Sequence, residues 1–465
     1  MDILLTHGYC LADDPREQKI MKPYPPLGIL YVSAYLKQQG FYVDVLDTTF
    51  SSFDAQKAYI LEKMPPVIGL YANLMTKPRI VEIMKWIRNE PSLQGTRILV
   101  GGPDVTHNLE GYLGHGADAA VVGEGEETAA ALLGAWRSND TGWCSLPGIA
   151  WMKDGKVVRN PAREKVRNLD VLPYPDRESV DMQAYLNTWK HHHGHSAMSV
   201  STQRGCPYTC KWCSTAVYGQ SYRRRSPAHV ADELAYLSER FAPDTFWFVD
   251  DVFTVSYRWL ASLAEELSSR RLKVKFECIT RADRMNEEVL GILKAMGCFR
   301  IWIGAESGSQ DVIDAMDRRV DVLHVRDMIR AARRHGIEAG TFIMLGYPGE
   351  TEADIRETVR HLKSSLPDQF TITVAYPIRG TSMHRELDGK VLASGDWATT
   401  TDRDLDFIRT YQRKYYDFAV RHVVNEVEWE KARKQGHALR PYAIKKRLAS
   451  GAARLGMWYY KTYGK

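Results

Sequence analysis

Met198-Ser-Val-Ser-Thr-Gln-Arg-Gly-Cys206-Pro-Tyr-Thr-Cys210-Lys-Trp-Cys213-Ser214 is a short strand pattern that runs straight into a cysteine loop. The cysteines follow a C-x3-C-x2-C spacing. Three thiolates on one short loop can hold three irons of a cubane [4Fe–4S] cluster and leave the fourth open, whereas the four-cysteine spacings of ferredoxins fill every iron and only carry electrons. Structural zinc takes four closed ligands, typically in paired C-x2-C or H-x3–5-H units. Three reduced thiols with no ligand role would leave the flanking Gly, Pro and aromatic residues unexplained. Cys206, Cys210 and Cys213 are therefore the predicted cluster ligands, and an open iron implies chemistry.

Downstream, strand and helix patterns alternate as far as about Ile378. Strands are expected at 198–202, 245–249, 275–279, 300–304, 340–345 and 371–375, with helices between them such as 227–241, 257–271, 287–296 and 322–335. Six such units predict a partial (β/α)6 barrel, whose site lies at the carboxyl ends of the strands. The cysteine loop follows the first of these strands. Upstream, residues 1–136 show a β-α-β-α rhythm that predicts an α/β, doubly wound, Rossmann-like domain. Its glycines, Gly101-Gly102-Pro103 and Gly123-Glu124-Gly125-Glu126, fall just after strands, where open sheets bind ligands and Gly admits a close approach. G-x-G-x-x-G is absent, which disfavours a dinucleotide. Between the two regions, 144–195 reads as a connector with a hairpin turning at Asp154-Gly155. The plan is thus 1–143, a linker 144–195, a barrel 196–385 and a helical C-terminal region 386–465.

The chain has 465 residues and a net charge of +5. No signal peptide and no apolar run near the ~20 residues of a membrane span is visible, and seven cysteines with three in one loop are not a disulfide framework. A reducing cytoplasmic location is expected. The charge is unevenly placed: from Lys431 onward there are ten Lys or Arg and no Asp or Glu, leaving 52 basic against 57 acidic residues elsewhere. That tail mixes bases with aromatics. It could lie on an anionic membrane, dock a reductase, cover an anionic substrate, or simply cap the barrel as a solvated basic helix. No nucleic-acid module accompanies it, so no nucleic-acid partner is expected.

With the loop placed, the chain resembles the radical S-adenosylmethionine (SAM) enzymes of the cobalamin-binding class over roughly residues 1–380. Within that class Arg204-Gly-Cys-Pro207 and Tyr218-Gly-Gln-Ser-Tyr-Arg-Arg-Arg-Ser-Pro227 are most similar to the Mg-protoporphyrin monomethyl ester cyclase-like and methylase branch. The resemblance implies a [4Fe–4S] cluster, SAM and cobalamin (methylcobalamin or hydroxocobalamin) as cofactors. It assigns Asp250 and Asp251 to the SAM ammonium, Arg281 to its carboxylate, and Glu306 and Ser307 to its ribose and methionyl amine. Gly346 marks the strand that packs on adenine, with Trp212 beside it. The plainer readings are a solvated strand end for the two Asp and a structural salt bridge for Arg281 or Glu306.

In the N-terminal domain the resemblance places cobalamin against Pro26, Leu27, Gly28, Gly101, Gly102, Pro103, Gly123, Glu124, Gly125 and Glu126. The D-x-H-x-x-G signature is missing, and His7, His107 and His115 lack its context. The resemblance then implies no imidazole below cobalt, and Asn73, Leu74 and Met75 are the candidates for that face; ordinary packing is the other reading of these three.

The implied chemistry is reductive cleavage of SAM to a 5′-deoxyadenosyl radical that attacks an unactivated carbon of a small or lipid-like substrate, fed by an external flavodoxin- or ferredoxin-type reductant. Methylation and oxidative cyclisation both fit, and no further catalytic residue stands out. A tRNA-type methylthiotransferase would need three N-terminal cysteines for a second cluster, and only Cys10 and Cys144 precede the triad. A corrinoid sensor or carrier would not need the cysteine loop. His191–His195 reads as a solvated linker, with metal or anion binding as the alternative, and Cys278 and Cys298 as core thiols.

Overall fold

The structure, a computed structural model, describes residues 1–215, 217–392 and 395–463. Seven strands build the first sheet: β1 (Ile3–His7), β2 (Val43–Leu46), β3 (Val67–Tyr71), β4 (Arg97–Gly101), β5 (Ala119–Val121), β6 (Ile149–Lys153) and β7 (Lys156–Arg159). Their order is β2-β1-β3-β4-β5-β6-β7. Successive strand residues face opposite sides, and here both sides are apolar. Leu4, Ile68, Leu70, Ile98 and Val100 join one core, while Ile3, Leu5, Val43, Val45 and Leu99 join the other. Helices Leu27–Gln38 and Glu126–Arg137 cover the second face, and Lys77–Asn89 the first. This is the doubly wound arrangement expected of a parallel sheet buried on both faces.

The hairpin differs from its expected place in a connector. β6 pairs antiparallel with β5 through Ala120↔Ala150 and Val121↔Ile149, so the sheet continues to residue 159. The cause is apolar: Ile149 and Ala150 are fully buried on the sheet edge. The turn residues Asp154 and Gly155 have φ of 48° and 74°, the left-handed pair whose twist matches two antiparallel strands. A helix at Phe53–Lys63, capped by Ser52, also forms where none was expected.

The second sheet contains β8 (Ala197–Val200). A two-residue ribbon of β9 (Gln203–Arg204) and β10 (Arg223–Arg224) follows, and the sheet resumes with β11 (Thr245–Phe248), β12 (Phe276–Thr280), β13 (Cys298–Glu306), β14 (Glu338–Leu345) and β15 (Gln369–Val374). The order is β15-β14-β13-β12-β11-β8, with parallel pairing from β11 to β15. Spatial order equals chain order, as in a barrel wound one way, here left partial. Helix starts are capped locally: Ser226, Ser256 and Asn286 each accept a hydrogen bond from a backbone N–H of the first turn.

Two compact units emerge. One holds Met1–Pro207, Ser214–Thr245 and the segment around Trp397; the other holds Tyr208–Cys213, the strands from Phe246 onward and the C-terminal helices. Those helices, Arg413–Lys434 and Pro441–Thr462, bury Ala419, Val423 and Val427 against Ala443, Ala453 and Met457. A Cβ on Gly456 would come within 2.4 Å of the Phe418 ring, so glycine lets the pair close. A short pairing of Val391–Leu392 with Asp406–Phe407 precedes them, in a region that reads as purely helical from sequence. His191 and His192 are exposed at the end of helix Met182–His193, and His193 contacts the carbonyls of Ile20 and Met21. Cys278 and Cys298 are buried in the core.

Candidate functional site

Arg281 comes directly after β12, at the carboxyl end of the barrel strands. Its side chain is only 2% exposed. Nη1 lies 3.6 Å from Cys210 Sγ, the guanidinium stacks 3.8 Å above the Tyr208 ring, and Nη2 donates to the Arg318 carbonyl at 2.7 Å. Arg318 brings a second guanidinium to the same sulfur. Its Nη1 is 3.7 Å from Cys210 Sγ, and its Nη2 donates to Gly304 O at 2.7 Å and lies 3.6 Å from Glu306 Oε1. The turn that presents Arg318 is unusual, since Asp317 and Arg319 on either side have φ of 51° and 55°. Left-handed backbone at two non-glycine residues persists only where surrounding contacts enforce it. Here Thr209 Oγ1 donates to Asp317 at 2.7 Å and Lys211 N to Met316 O at 3.0 Å. The cysteine loop and the Arg318 turn thus hold each other.

Glu306 ends β13 at a register shift between Gly304 and Glu306 and has φ of 64°. A bulge of this kind re-aims a side chain at a sheet rim. Burial pushes the Glu306 carboxyl above its ordinary range, although Arg318 and Arg281 pull it down. Arg281 also pairs with Asp283 at 2.9 Å, so two guanidiniums and two carboxylates gather beside Cys210, a set of groups able to meet the carboxylate and ammonium of an amino acid. Asp250 is buried and Asp251 is exposed. Trp212 packs on the cluster of Met316 and Tyr347, with Arg318 5.5 Å from its ring centre.

Two expected SAM contacts are otherwise engaged. The Ser307 hydroxyl meets Thr358 Oγ1 at 3.2 Å and accepts from Ser309 N, which ties β13 to helix Glu352–Ser365. Gly346 has φ of 77°, and a Cβ there would lie 2.8 Å from Arg409 Nη1. Its N–H donates to Glu350, whose carboxyl burial pushes up to about 8.

Among the described residues, no three His, Cys, Asp or Glu side chains converge on one ion position. A cubane takes its thiolates on separate irons, so spacing rather than convergence is what Cys206, Cys210 and Cys213 must supply. Cys213 N donates to Cys210 O, which holds these two in one turn. None of the three is in a disulfide.

The glycine loops lie in the other unit, at the ends of β4 and β5. Gly102 has φ of 115°, and a Cβ there would meet Ala72 O at 2.3 Å. Gly101, Pro103 and the half-buried Leu74 and Met75 are therefore drawn to one rim, and Gly123 (φ 92°) continues it. Pro26 and Leu27 are half-buried at the start of helix Leu27–Gln38, and Gly28 lies under the Tyr71 ring. This cradle of glycines and half-buried apolar side chains fits the edge of a corrin. Asn73 does something else: its carboxamide oxygen accepts from Met75 N and Thr76 N at 2.9 and 3.0 Å and shapes the loop. Met75 lines a cavity of about 440 Å³ with Cys10 and Arg79. His7 has both ring nitrogens engaged, one with Asp47 and the other with Tyr9 N.

Glu124 and Glu126 depart most from expectation. Glu126 pairs with Arg204, and Glu124 lies between Arg204, at 3.6 Å, and Arg223. Arg204 is buried and flanked by the Tyr31 and Tyr218 rings. Their carboxylates thus brace the residue two before Cys206. Arg204, Arg223 and Arg318 went unassigned in the sequence. The one available signal was the density of basic residues beside the cysteine motif and in Asp317-Arg-Arg319.

Comparison with known proteins matches two domain families: the B12 binding domain over residues 18–133 and the radical SAM superfamily over 200–362. An uncharacterized methyltransferase of Pyrococcus horikoshii is 27% identical over 390 residues, covering 82% of each chain. The anaerobic magnesium-protoporphyrin IX monomethyl ester cyclase of Rubrivivax gelatinosus is 26% identical over 381 residues, 79% of this chain and 67% of its own. In fold, the chain is similar to a radical SAM methyltransferase, TsrM from Kitasatospora setae, solved with cobalamin and a [4Fe–4S] cluster. The TM-score is 0.72 at 17% identity, over 97% of this chain and 99% of that one.

Proposed function

Because this chain belongs to the cobalamin-dependent radical SAM enzymes, we propose that it transfers a methyl group to an unactivated carbon of a small or lipid-like substrate. The observation that carries the reading is the pair Arg281 and Arg318 beside Cys210, with the Glu306 carboxylate 3.6 Å from Arg318 at the end of β13. The two guanidiniums would hold the SAM carboxylate, Glu306 at the end of β13 and the buried Asp250 after β11 would accept from its ammonium, and Trp212 would lie beside adenine. Leu74 would face the lower side of the corrin, and Gly101–Pro103 and Gly123–Gly125 would carry its edge. When bound, the cluster and SAM supply one-electron cleavage and hydrogen abstraction, and cobalamin supplies the methyl group. The protein's own part is to position these groups on buried donors and to keep water from them. An external one-electron reductant is required; we assign it to the flavodoxin or ferredoxin class and place the enzyme in the reducing cytoplasm, which suits seven cysteines held in no disulfide.

The test is anaerobic reconstitution with cobalamin, iron and sulfide, followed by turnover with methyl-labelled SAM on extracts of a deletion strain. Methylation moves label into a metabolite that gains one CH2 in mass. The second reading, an oxidative cyclase, is favoured by the Rubrivivax gelatinosus relative; it moves no label and changes oxygen or hydrogen content instead.

A further inference from the structure

The helix Pro441–Thr462 has two apolar faces. One, formed by Ala443, Ala453 and Met457 with Ser450, is buried on the preceding helix. The other points away from it. Ile444, Leu448, Leu455, Trp458 and Tyr459 are spaced 4, 11, 14 and 15 residues from the first, which sets them on one side of an α-helix. They are 45%, 69%, 69%, 57% and 53% exposed. Stripes of this size on a surface mark a binding face.

The charge beside the stripe says which partner fits. Part of the tail's positive charge is used inside the unit: Arg447 pairs with Glu426, Lys461 with Glu352, and Arg433 with Glu430. Lys445 and Arg454 flank the stripe on its two sides, both exposed and without an ion-pair partner among the described residues. No acidic residue lies anywhere on this helix. A second copy docked face to face would set these cations against their own equivalents. A helix with an apolar stripe, flanking cations and aromatic residues at one end is instead suited to the headgroup boundary of an anionic bilayer. It cannot cross one, since no described helix is long and apolar enough. Lys461 ties the aromatic end to Glu352, at the start of the helix that follows β14. The stripe therefore ends at the rim of the barrel strands.

We infer that this face docks the enzyme on an anionic phospholipid surface. The test is co-sedimentation of the reconstituted full chain with vesicles of phosphatidylglycerol or of phosphatidylcholine. Binding to phosphatidylglycerol vesicles is expected to fall about tenfold or more in the Lys445→Gln/Arg454→Gln variant, from the attraction lost per cation, and to weaken with salt. Leu448→Glu/Leu455→Glu should abolish it while leaving cluster and corrin absorbance unchanged, because both side chains are already exposed. Several outcomes would overturn the inference: no binding to phosphatidylglycerol vesicles, equal binding to phosphatidylcholine, or binding that survives Leu448→Glu/Leu455→Glu. A dimer in solution that this variant dissolves would give the stripe to a second copy. Capture of an acidic flavodoxin through Lys445 and Arg454, with vesicles ignored, would give it to a protein. None of these readouts depends on turnover, so failure here leaves the methylation reading standing.

Discussion

Both units of the chain set two arginines against two carboxylates next to a site, but they pair them to different degrees. Behind the glycine loops, Arg204 and Arg223 face Glu124 and Glu126 in near-complete mutual pairing. Beside Cys210, Arg281 pairs with Asp283 at 2.9 Å, while Arg318 lies 3.6 Å from Glu306, whose carboxyl burial holds above its ordinary range. The first arrangement is closed and leaves nothing to offer a ligand. The second is looser: both guanidiniums also reach the Cys210 sulfur, and Arg318 approaches Glu306 only to 3.6 Å. Close pairing braces a loop; the looser pairing leaves guanidinium donors beside the sulfur.

The largest effect should come from removing the sulfur at the centre of the open site. Cys210→Ala is expected to abolish cluster absorbance after reconstitution and all SAM cleavage, read as deoxyadenosine release. Next, the closed site should prove structural. Arg204→Met leaves Glu126 buried without its partner and should cost about 3–5 kcal/mol of stability, measured by urea unfolding of the cofactor-free protein. Arg204→Met/Glu126→Gln should recover much of it, whereas Arg318→Met should cost far less, because Glu306 can hold a proton. A full-sized loss in Arg318→Met would erase the contrast.

Glu350 supplies a pH test of burial without pairing. Its folded pKa of about 8 lies above the ordinary carboxyl value of about 4.3. The folded state therefore holds a proton that the unfolded state has released. Its contribution is fully present below about pH 4 and is lost as pH rises through about 8, a change on the order of a few kcal/mol. Glu350→Gln should remove that dependence, seen as unfolding free energy flattening between pH 5 and 8. A smaller effect is expected at the open site: Arg318→Lys, which loses the planar fork, should raise the KM for SAM about tenfold or more with the cluster spectrum intact. The smallest concerns Asn73→Ala, which frees the N–H groups of Met75 and Thr76 and should cost about 1 kcal/mol with weaker corrin retention.

The fold was largely legible because its strands are apolar runs that alternate with amphipathic helices. The helix Phe53–Lys63 was not, since it turns a polar residue inward: Gln56 is buried and donates to Thr6 Oγ1 and to the His7 carbonyl. The hairpin was legible as a hairpin, but its pairing with β5 depends on an edge that only the assembled sheet creates. The same holds at the site. Cys206, Cys210 and Cys213 announce themselves by local spacing. Arg204 and Glu126 are 78 residues apart, and Arg318 and Cys210 are 108 apart. No local pattern marks a partner at such a distance, and the roles of Glu124 and Glu126 changed once their arginines were in place.

That hairpin also decides how the sheet ends. Without it, β5 would present its free N–H and C=O groups as a template for any passing chain. With it, the outermost strand is β7, four residues long and bounded by exposed Lys156 and Arg159. Short length and terminal cations are what keep sheet edges from adding strands of other molecules. The hairpin thus gives this edge of the sheet a border that resists adding strands of other molecules.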